Sequence, residues 1–418
     1  MFLQRLVLEN VRSIEHLDLP FLCDDGESRK WTLLLGENGC GKSSLLKAAA
    51  LVLAGSEGLS ELLVEPDNWI RIGQDRARIE AHLVTAKGEE RTVSLELFRG
   101  EGLLDLFERN RTSLKRLDDA LRHTARSYLT VGYGVSRRLG DPRFSGASPA
   151  SPFRTPRARS VATLFSPNAE LNPLQTWAID LHYRREGQGL KLVGETLRDL
   201  LPGVELSRID RERGQLLFNT ADGEIPLGQL SDGYQNVAAW CGDLLYTVTQ
   251  SFEDYDDPLS ARGLLLIDEV DLHLHPVWQR RLRSFIDAKL PNFQILATTH
   301  SPLTVHQAGE GELFFLRRDE GRPPVLHGYP GAPRNLMLHQ LLVSPAFGLA
   351  TVDSQRVEEM RREHAALLAA PARSRRDEQR LRALAEDLED LPEISSHTEL
   401  DQKRVAVLAE IAEALKAQ

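Results

Sequence analysis

Residues Gly36–Ser43 read GENGCGKS, a match to G-x-x-x-x-G-K-[ST] between a short apolar run, Trp31–Leu35, and a helix-forming one, Ser44–Leu53. The chemistry of that pattern is phosphate binding. Gly36, Gly39 and Gly41 allow the loop's backbone N–H groups, those of Glu37, Asn38 and Cys40 among them, to turn inward on phosphate oxygens. The helix that opens near Ser44 then presents its positive end to the same charge. Lys42 is expected to reach the β- and γ-phosphates, and Ser43 to offer its hydroxyl to Mg2+. ATP and Mg2+ are the ligands this loop implies.

Three further strings carry chemistry. LLLIDE, Leu264–Glu269, has the apolar run of a central parallel strand and ends in two adjacent acids, at the edge where open α/β sheets bind ligands. Asp268 is expected to hold Mg2+ through water, and Glu269 to serve as general base on the attacking water. ILATTHSP places His300 just beyond another apolar run, Gln294–Thr298, a position suited to sensing the γ-phosphate. His273 and His275 in DLHLHP could alternate on a strand face as metal ligands, but a packed loop with Pro276 at the first position of a helix is the preferred reading. LSDGYQ, Leu230–Gln235, is by itself a turn and a helix start.

Taken in this order, the four strings resemble those of the ABC ATPase superfamily, and within it the soluble branch that includes the SMC, RecF and OLD proteins. LVLENVRSIEHLDL is similar to that branch's N-terminal strand pair, and DEVDLHLHP followed by ATTHSP to its Walker B, D-loop and switch regions. The resemblance spans most of residues 1–310. It implies an α/β fold, an ABC ATPase head with a mixed sheet, an inserted helical lobe and a C-terminal helical tail. It further implies that Ser231 and Gly233 contact the γ-phosphate held by an opposite copy, so that the active unit is a head dimer. Asp271 would lie in the D-loop between the two sites, and Arg12 near the nucleotide.

The family's Q-loop glutamine has no counterpart where it is expected. The strand Tyr128–Tyr133 runs into GYGVSRR, which leaves Ser136 or Arg137 as candidates; Gln74 precedes the hairpin, and the role stays unassigned. GYGVSRR, the inserted lobe, and LLVSPAFGL before a helical tail also resemble anti-phage defence ATPases of the Septu and retron type, which work beside a separate HNH nuclease. That resemblance implies an ATP-gated sensor or clamp with such a partner. The alternatives are a RecF/SMC-like DNA repair ATPase and a nucleotide-binding subunit of a transporter, the latter disfavoured by the long insertion between Gly36 and Ser231. An OLD-type nuclease needs a further apolar strand set ending in paired acids, and none is read beyond Pro302.

These motifs need a scaffold. Leu3–Leu19 reads as two strands about a turn, and Arg78–Thr85 with Arg91–Phe98 as a hairpin of alternating apolar and polar residues. Leu171, Leu174, Trp177, Ala178 and Leu181 recur at helical spacing, as do Leu197, Leu200 and Leu201 before Pro202. Short strands at Val204–Ile209 and Leu216–Asn219, with a turn at Asp222–Gly223, precede a helix opening near Asp232. The expected plan is a head over 1–100 and 205–350, a lobe over 101–204, and a helical assembly or partner-docking region over 353–418. Breaks at Pro371 and Pro392, with stripes Leu381, Leu384, Leu388 and Val405, Leu408, Ile411, Leu415, predict three helices in that region.

Composition bounds the rest. The 418 residues are 41% hydrophobic and 27% charged, an ordinary globular balance, and the three cysteines show neither disulfide nor zinc-finger spacing. No apolar run is of membrane-spanning length, so a cytoplasmic protein without a membrane partner is expected. A net charge of −10 argues against a whole-domain grip on nucleic acid. Arg137, Arg138, Arg143, Arg154, Arg157 and Arg159, against the single acid Asp141, form one basic segment near 137–160. It is expected to be a solvated, flexible loop, with DNA contact as its second reading.

Overall fold

The computed structural model describes residues 1–391 apart from 24, 86–87, 124–127, 140–152, 173, 175–177, 179–193, 196, 199–200, 202, 211–212, 214, 222, 253–257 and 390. Phe2–Val11 (β1) and Ile14–Pro20 (β2) pair antiparallel about a turn in which Asn10 and Arg12 take positive φ, 52° and 54°. Trp31–Gly36 (β3) feeds the glycine-rich loop, from which the helices Lys42–Leu53 and Gly55–Leu62 emerge. Arg76–Val84 (β4) and Glu90–Phe98 (β5) form the expected hairpin, and β4 joins β1 to complete a four-stranded sheet ordered β2-β1-β4-β5. Two helices follow, Leu103–Arg109 and Arg111–His123.

Leu129–Tyr133 (β6) leads into the arginine-rich segment. There Arg138–Leu139 (β7) pairs parallel with Glu170–Leu171 (β8), and the short helices Pro156–Arg159 and Ala162–Phe165 lie between them in sequence. Glu205–Asp210 (β9), Gln215–Thr220 (β10) and Gly223–Pro226 (β11) make a separate antiparallel sheet ahead of the 20-residue helix Asp232–Ser251. Gly263–Ile267 (β12), the helix Pro276–Lys289, Phe293–Thr298 (β13), Leu313–Arg317 (β14) and Val325–Gly328 (β15) complete the head.

A six-stranded mixed sheet, β15-β14-β3-β13-β12-β6, runs through the centre, parallel except for the edge strand β15. Alternate side chains along a strand point to opposite faces, so a strand buried on both faces must be apolar throughout. Leu34, Leu264, Leu266, Leu296, Phe314 and Leu316 enter a core shared with the four-stranded sheet and the helix Lys42–Leu53. Their neighbours Leu33, Leu35, Leu265, Ile267, Ile295 and Phe315 enter a second core with the helices Asp232–Ser251 and Pro276–Lys289.

The strand β14 is absent from the sequence reading, and two-sided burial is the reason: LFFLR is a short apolar run without alternation, which periodicity alone cannot separate from a helix segment. It extends the head's own sheet and supplies no separate strand set. Of the expected lobe stripe, Leu174, Ala178, Leu197 and Leu201 are buried, whereas Trp177, Leu181, Leu200 and Pro202 lie outside the described residues. So does Asp222 of the expected turn.

The chain divides into two compact units, Met1–Phe347 and Gly348–Gln418. Within the second, the helices Gln355–Ala369 and Arg375–Glu389 form a hairpin tied by the Arg380 guanidinium, which donates to both carboxylate oxygens of Glu363 at 2.8 and 2.7 Å. Pro392 and the stripe Val405, Leu408, Ile411, Leu415 fall outside the described residues. Among the described residues, no helix is long and apolar enough to cross a membrane.

Candidate nucleotide site

Gly36 ends β3 where a Cβ would lie 2.6 Å from the Leu316 carbonyl oxygen on β14, so only glycine lets the chain leave the sheet there. Gly41 caps the following helix with φ 97°, a conformation costly for any residue carrying a Cβ, and a Cβ there would press on Ile14 and Ser13. Lys42 is buried and donates from Nζ to the carbonyls of Gly36 and Glu37 at 2.6 and 2.9 Å. Burial lowers its pKa from the ordinary value. Ser43 and Ser44 sit in the helix's first turn and Cys40 packs into the core, while Glu37, Asn38 and Gly39 stand exposed.

The acidic pair lies two strands away, at the end of β12. Asp268 is buried; its N–H donates to the Tyr133 carbonyl at 2.8 Å, and its Oδ1 accepts from the Thr298 hydroxyl at 2.7 Å. The same Thr298 oxygen accepts the N–H of Glu269 at 2.7 Å. Glu269 has φ 51°, uncommon for a residue with a Cβ and of the kind that collects at functional sites. Among the described residues its carboxylate has no hydrogen-bond partner. Beyond β13, Thr299 donates to Asp271, whose carboxyl burial pushes above the usual carboxylate range, and His300 stands exposed beside them.

Of the two residues named for the unassigned Q-loop role, Arg137 makes a contact that the sequence did not foretell. Arg137 is buried, and its Nη2 donates to the carbonyls of Asp268 and Glu269 at 2.5 and 2.8 Å while its Nε donates to Gly134 at 3.0 Å. Burial pushes its pKa down to about 10. The expectation of a solvated loop therefore fails for this residue, because a guanidinium that satisfies backbone carbonyls inside the head cannot also face solvent or DNA. Ser136 is turned to the Pro167 carbonyl at 2.8 Å. Arg157 is half-buried and Arg159 exposed in their short helix, and Arg143 and Asp141 lie outside the described residues.

Arg12 stacks over Trp69, its guanidinium carbon 4.2 Å from the ring centroid, and reaches the Ser44 hydroxyl at 3.5 Å. It therefore borders the helix that follows the glycine-rich loop. A cleft opens beside it, lined by Arg12, Ser13, Asn68, Arg71, Arg318 and Arg322. Arg318 donates to the Gly39 carbonyl at 3.2 Å, which ties this cleft to the loop.

LSDGYQ forms the N-terminus of the long helix. Ser231 is its N-cap and exposed, with no side-chain capping bond, while Gln235 holds the turn by donating to the Leu230 and Gly228 carbonyls at 2.6 and 3.3 Å. Gly233 faces the loop after the acids, where a Cβ would lie 3.1 Å from the His273 carbonyl oxygen. Among the described residues, neither Ser231 nor Gly233 shares a hydrogen bond with the P-loop. His275 caps the helix that Pro276 opens, its Nδ1 accepting from the Val277 N–H at 3.4 Å, and no group of three metal-ligating side chains gathers among the described residues.

Comparison with known proteins places this geometry in context. A Septu protein PtuA from Bacillus mycoides is 28% identical over 93% of this chain and 50% of its own length. A Septu protein PtuA from Bacillus thuringiensis is 32% identical over 34% of this chain and 39% of its own, and the “Retron Ec83 probable ATPase” of Escherichia coli is 28% identical over 34% and 26%. The chain thus spans half the length, or less, of these relatives. The SMC head domain from Thermotoga maritima superposes with a TM-score of 0.44 at 16% identity, covering 79% of this chain and 99% of that one. A family model matches residues 32–306, more than half of the chain, and the chain belongs to that family, described as “AAA domain, putative AbiEii toxin, Type IV TA system”.

Proposed function

We propose that this chain is an ABC-type ATPase head that binds ATP with Mg2+, hydrolyses it between two copies, and acts as a sensor or clamp in anti-phage defence beside a separate nuclease. The observation that carries the reading is convergence: the P-loop, the Asp268–Glu269 pair and the Thr298–His300 segment all lie at the C-terminal ends of three adjacent parallel strands, β3, β13 and β12. The loop's N–H groups and Lys42 bind the phosphates, and the cleft beside Arg12 and Arg318 takes the nucleoside end. Ser43 and Asp268 offer a hydroxyl and a carboxylate, the hard oxygen donors Mg2+ prefers, and they would hold the ion directly or through water. The ion supplies neutralisation of charge on the terminal phosphates.

Glu269 accepts a proton from water as the water oxygen bonds to the γ-phosphorus, and the bridging oxygen leaves with ADP. His300 contacts the γ-phosphate. Among the described residues, the exposed Ser231 hydroxyl shares no hydrogen bond with the P-loop of its own chain, which favours action on the nucleotide of an opposite copy. The Septu and retron relatives support the defence setting, and a cytoplasmic protein, an HNH-type nuclease partner and DNA as a possible ligand complete the proposal. The deciding measurement is phosphate release from ATP and Mg2+: the parent chain should turn over, and Lys42→Ala should lose both nucleotide binding and turnover. A Lys42→Ala chain that hydrolyses at the parental rate would remove the P-loop from the mechanism.

A further inference from the structure

We propose that Arg137 is the positioning residue of the hydrolytic site, holding Glu269 in its working backbone conformation and tying the segment inserted after β6 to the ATP chemistry. This rests on the reading of Glu269 as general base. Glu269 has a φ of 51°, where a residue with a Cβ persists only if its surroundings hold it. They do so at both ends. Its N–H is held by the Thr298 hydroxyl at 2.7 Å, and its C=O by Arg137 Nη2 at 2.8 Å. The same nitrogen also holds the preceding carbonyl, that of Asp268, at 2.5 Å, so one guanidinium spans the backbone of both acids.

A purely structural arginine buried this deeply would be expected to meet a carboxylate. Among the described residues Arg137 makes no ion pair: its hydrogen bonds all go to backbone carbonyls, its guanidinium carbon lies 6.0 Å from the Trp240 ring centroid, and its Nη1 is buried without a hydrogen bond. Taking a charge out of water for carbonyl contacts and one distant ring is costly, and burial depresses its pKa accordingly. What the contacts obtain is direction. With both peptide groups of Glu269 fixed, the Cα–Cβ bond is fixed, and the carboxylate is aimed by the backbone and not by a side-chain partner.

Arg137 is also the point where the insertion enters the site. Gly134, to whose carbonyl Arg137 Nε donates, follows β6 directly, and β7 begins at the residue after Arg137, Arg138. A displacement of that segment would withdraw the guanidinium from the acids' carbonyls. The residue leaving β6 is thus turned to the backbone of the acids, so a coupling through it acts on the base. A lysine cannot substitute, because a single ammonium lacks the planar fork that reaches the Gly134 carbonyl and the acids' carbonyls together.

The test uses the full chain and compares Arg137→Lys with the parent in ATP turnover, ATP affinity and thermal midpoint. Misaiming a catalytic group by about 1 Å costs on the order of a hundredfold, so kcat should fall by roughly ten- to a hundredfold while the Kd for ATP stays within about threefold. Arg137→Ala should regain part of its turnover on addition of guanidinium chloride at millimolar concentration, and none with an equal concentration of sodium chloride. If the alanine variant does not fold, the lysine variant carries the test alone. Folded variants with parental kcat, or a kcat and affinity that fall together with the thermal midpoint and are not rescued, would overturn the proposal. A parent chain with no turnover at all would instead overturn the reading of Glu269 as a base, and is recognised before any variant is made.

Discussion

Glu269 and Asp268 are neighbours in sequence with opposite surroundings: Asp268 is buried and bonded by Thr298, whereas Glu269 is half-exposed and its carboxylate has no hydrogen-bond partner among the described residues. The first suits a fixed anchor for a hydrated metal, the second a base that must meet water. Glu269→Gln should therefore bind ATP as the parent does, lose turnover by at least a hundredfold, and accumulate a head dimer, since both phosphate clamps survive while the proton acceptor is gone. Light scattering with ATP and Mg2+ measures this, and a variant that remains in its ATP-free oligomeric state speaks against the assignment. Replacing Ser231 with Arg should abolish hydrolysis and leave the affinity of a single head nearly intact. Mixed with Lys42→Ala, it should recover part of the activity, because each mixed dimer holds one whole composite site. No recovery despite demonstrated mixing would leave the signature loop acting only within its own copy.

The elements that carry these residues are joined by a buried polar link. Tyr133, the last residue of β6, donates its hydroxyl to Asp243 on the helix Asp232–Ser251 at 2.8 Å, and Asp243 also takes the backbone and side-chain N–H groups of Asn172 at 2.8 and 2.7 Å. Burial raises the Asp243 carboxyl above its ordinary range and these bonds oppose it. The link connects the strand preceding Arg137 to the helix that begins with the signature loop. Tyr133→Phe leaves a buried carboxyl short of one donor and should cost about 1–3 kcal/mol of stability, read as a lower urea midpoint at an unchanged m-value. An unchanged midpoint would mean that water or Asn172 satisfies Asp243 fully without the tyrosine.

Across the whole molecule, all phosphate-directed motifs lie in the unit Met1–Phe347, and the second unit begins at Gly348. Its described helices carry no P-loop chemistry. Deleting 372–418 should leave a folded chain that still hydrolyses ATP but runs smaller on sizing or no longer retains a nuclease partner in a pull-down. A truncated chain that aggregates, or melts well below the parent, would show that these helices cover apolar surface of the protein itself, and the docking role would be dropped.

The phosphate loop, the acidic pair and the strands that end in them were legible in the sequence, because each is a local pattern: glycines where the backbone must turn, an apolar run where a strand is buried on both faces, a proline where a helix starts. What required the tertiary structure was everything that depends on which strand ends become neighbours. The order β14-β3-β13-β12-β6 sets β14 beside β3 and β6 beside β12, and no periodicity in LFFLR or LTVGY encodes that adjacency. Arg137 is the clearest case. In sequence it is one of six arginines in a polar segment, and charge alone sends such a residue to solvent; in the fold, the parallel pairing of β6 with β12 brings Tyr133 level with Ile267, so the residues just beyond those strand ends meet. Sequence thus determined which atoms could do the chemistry, and strand adjacency, a matter of long-range packing, decided which buried cation holds them in place.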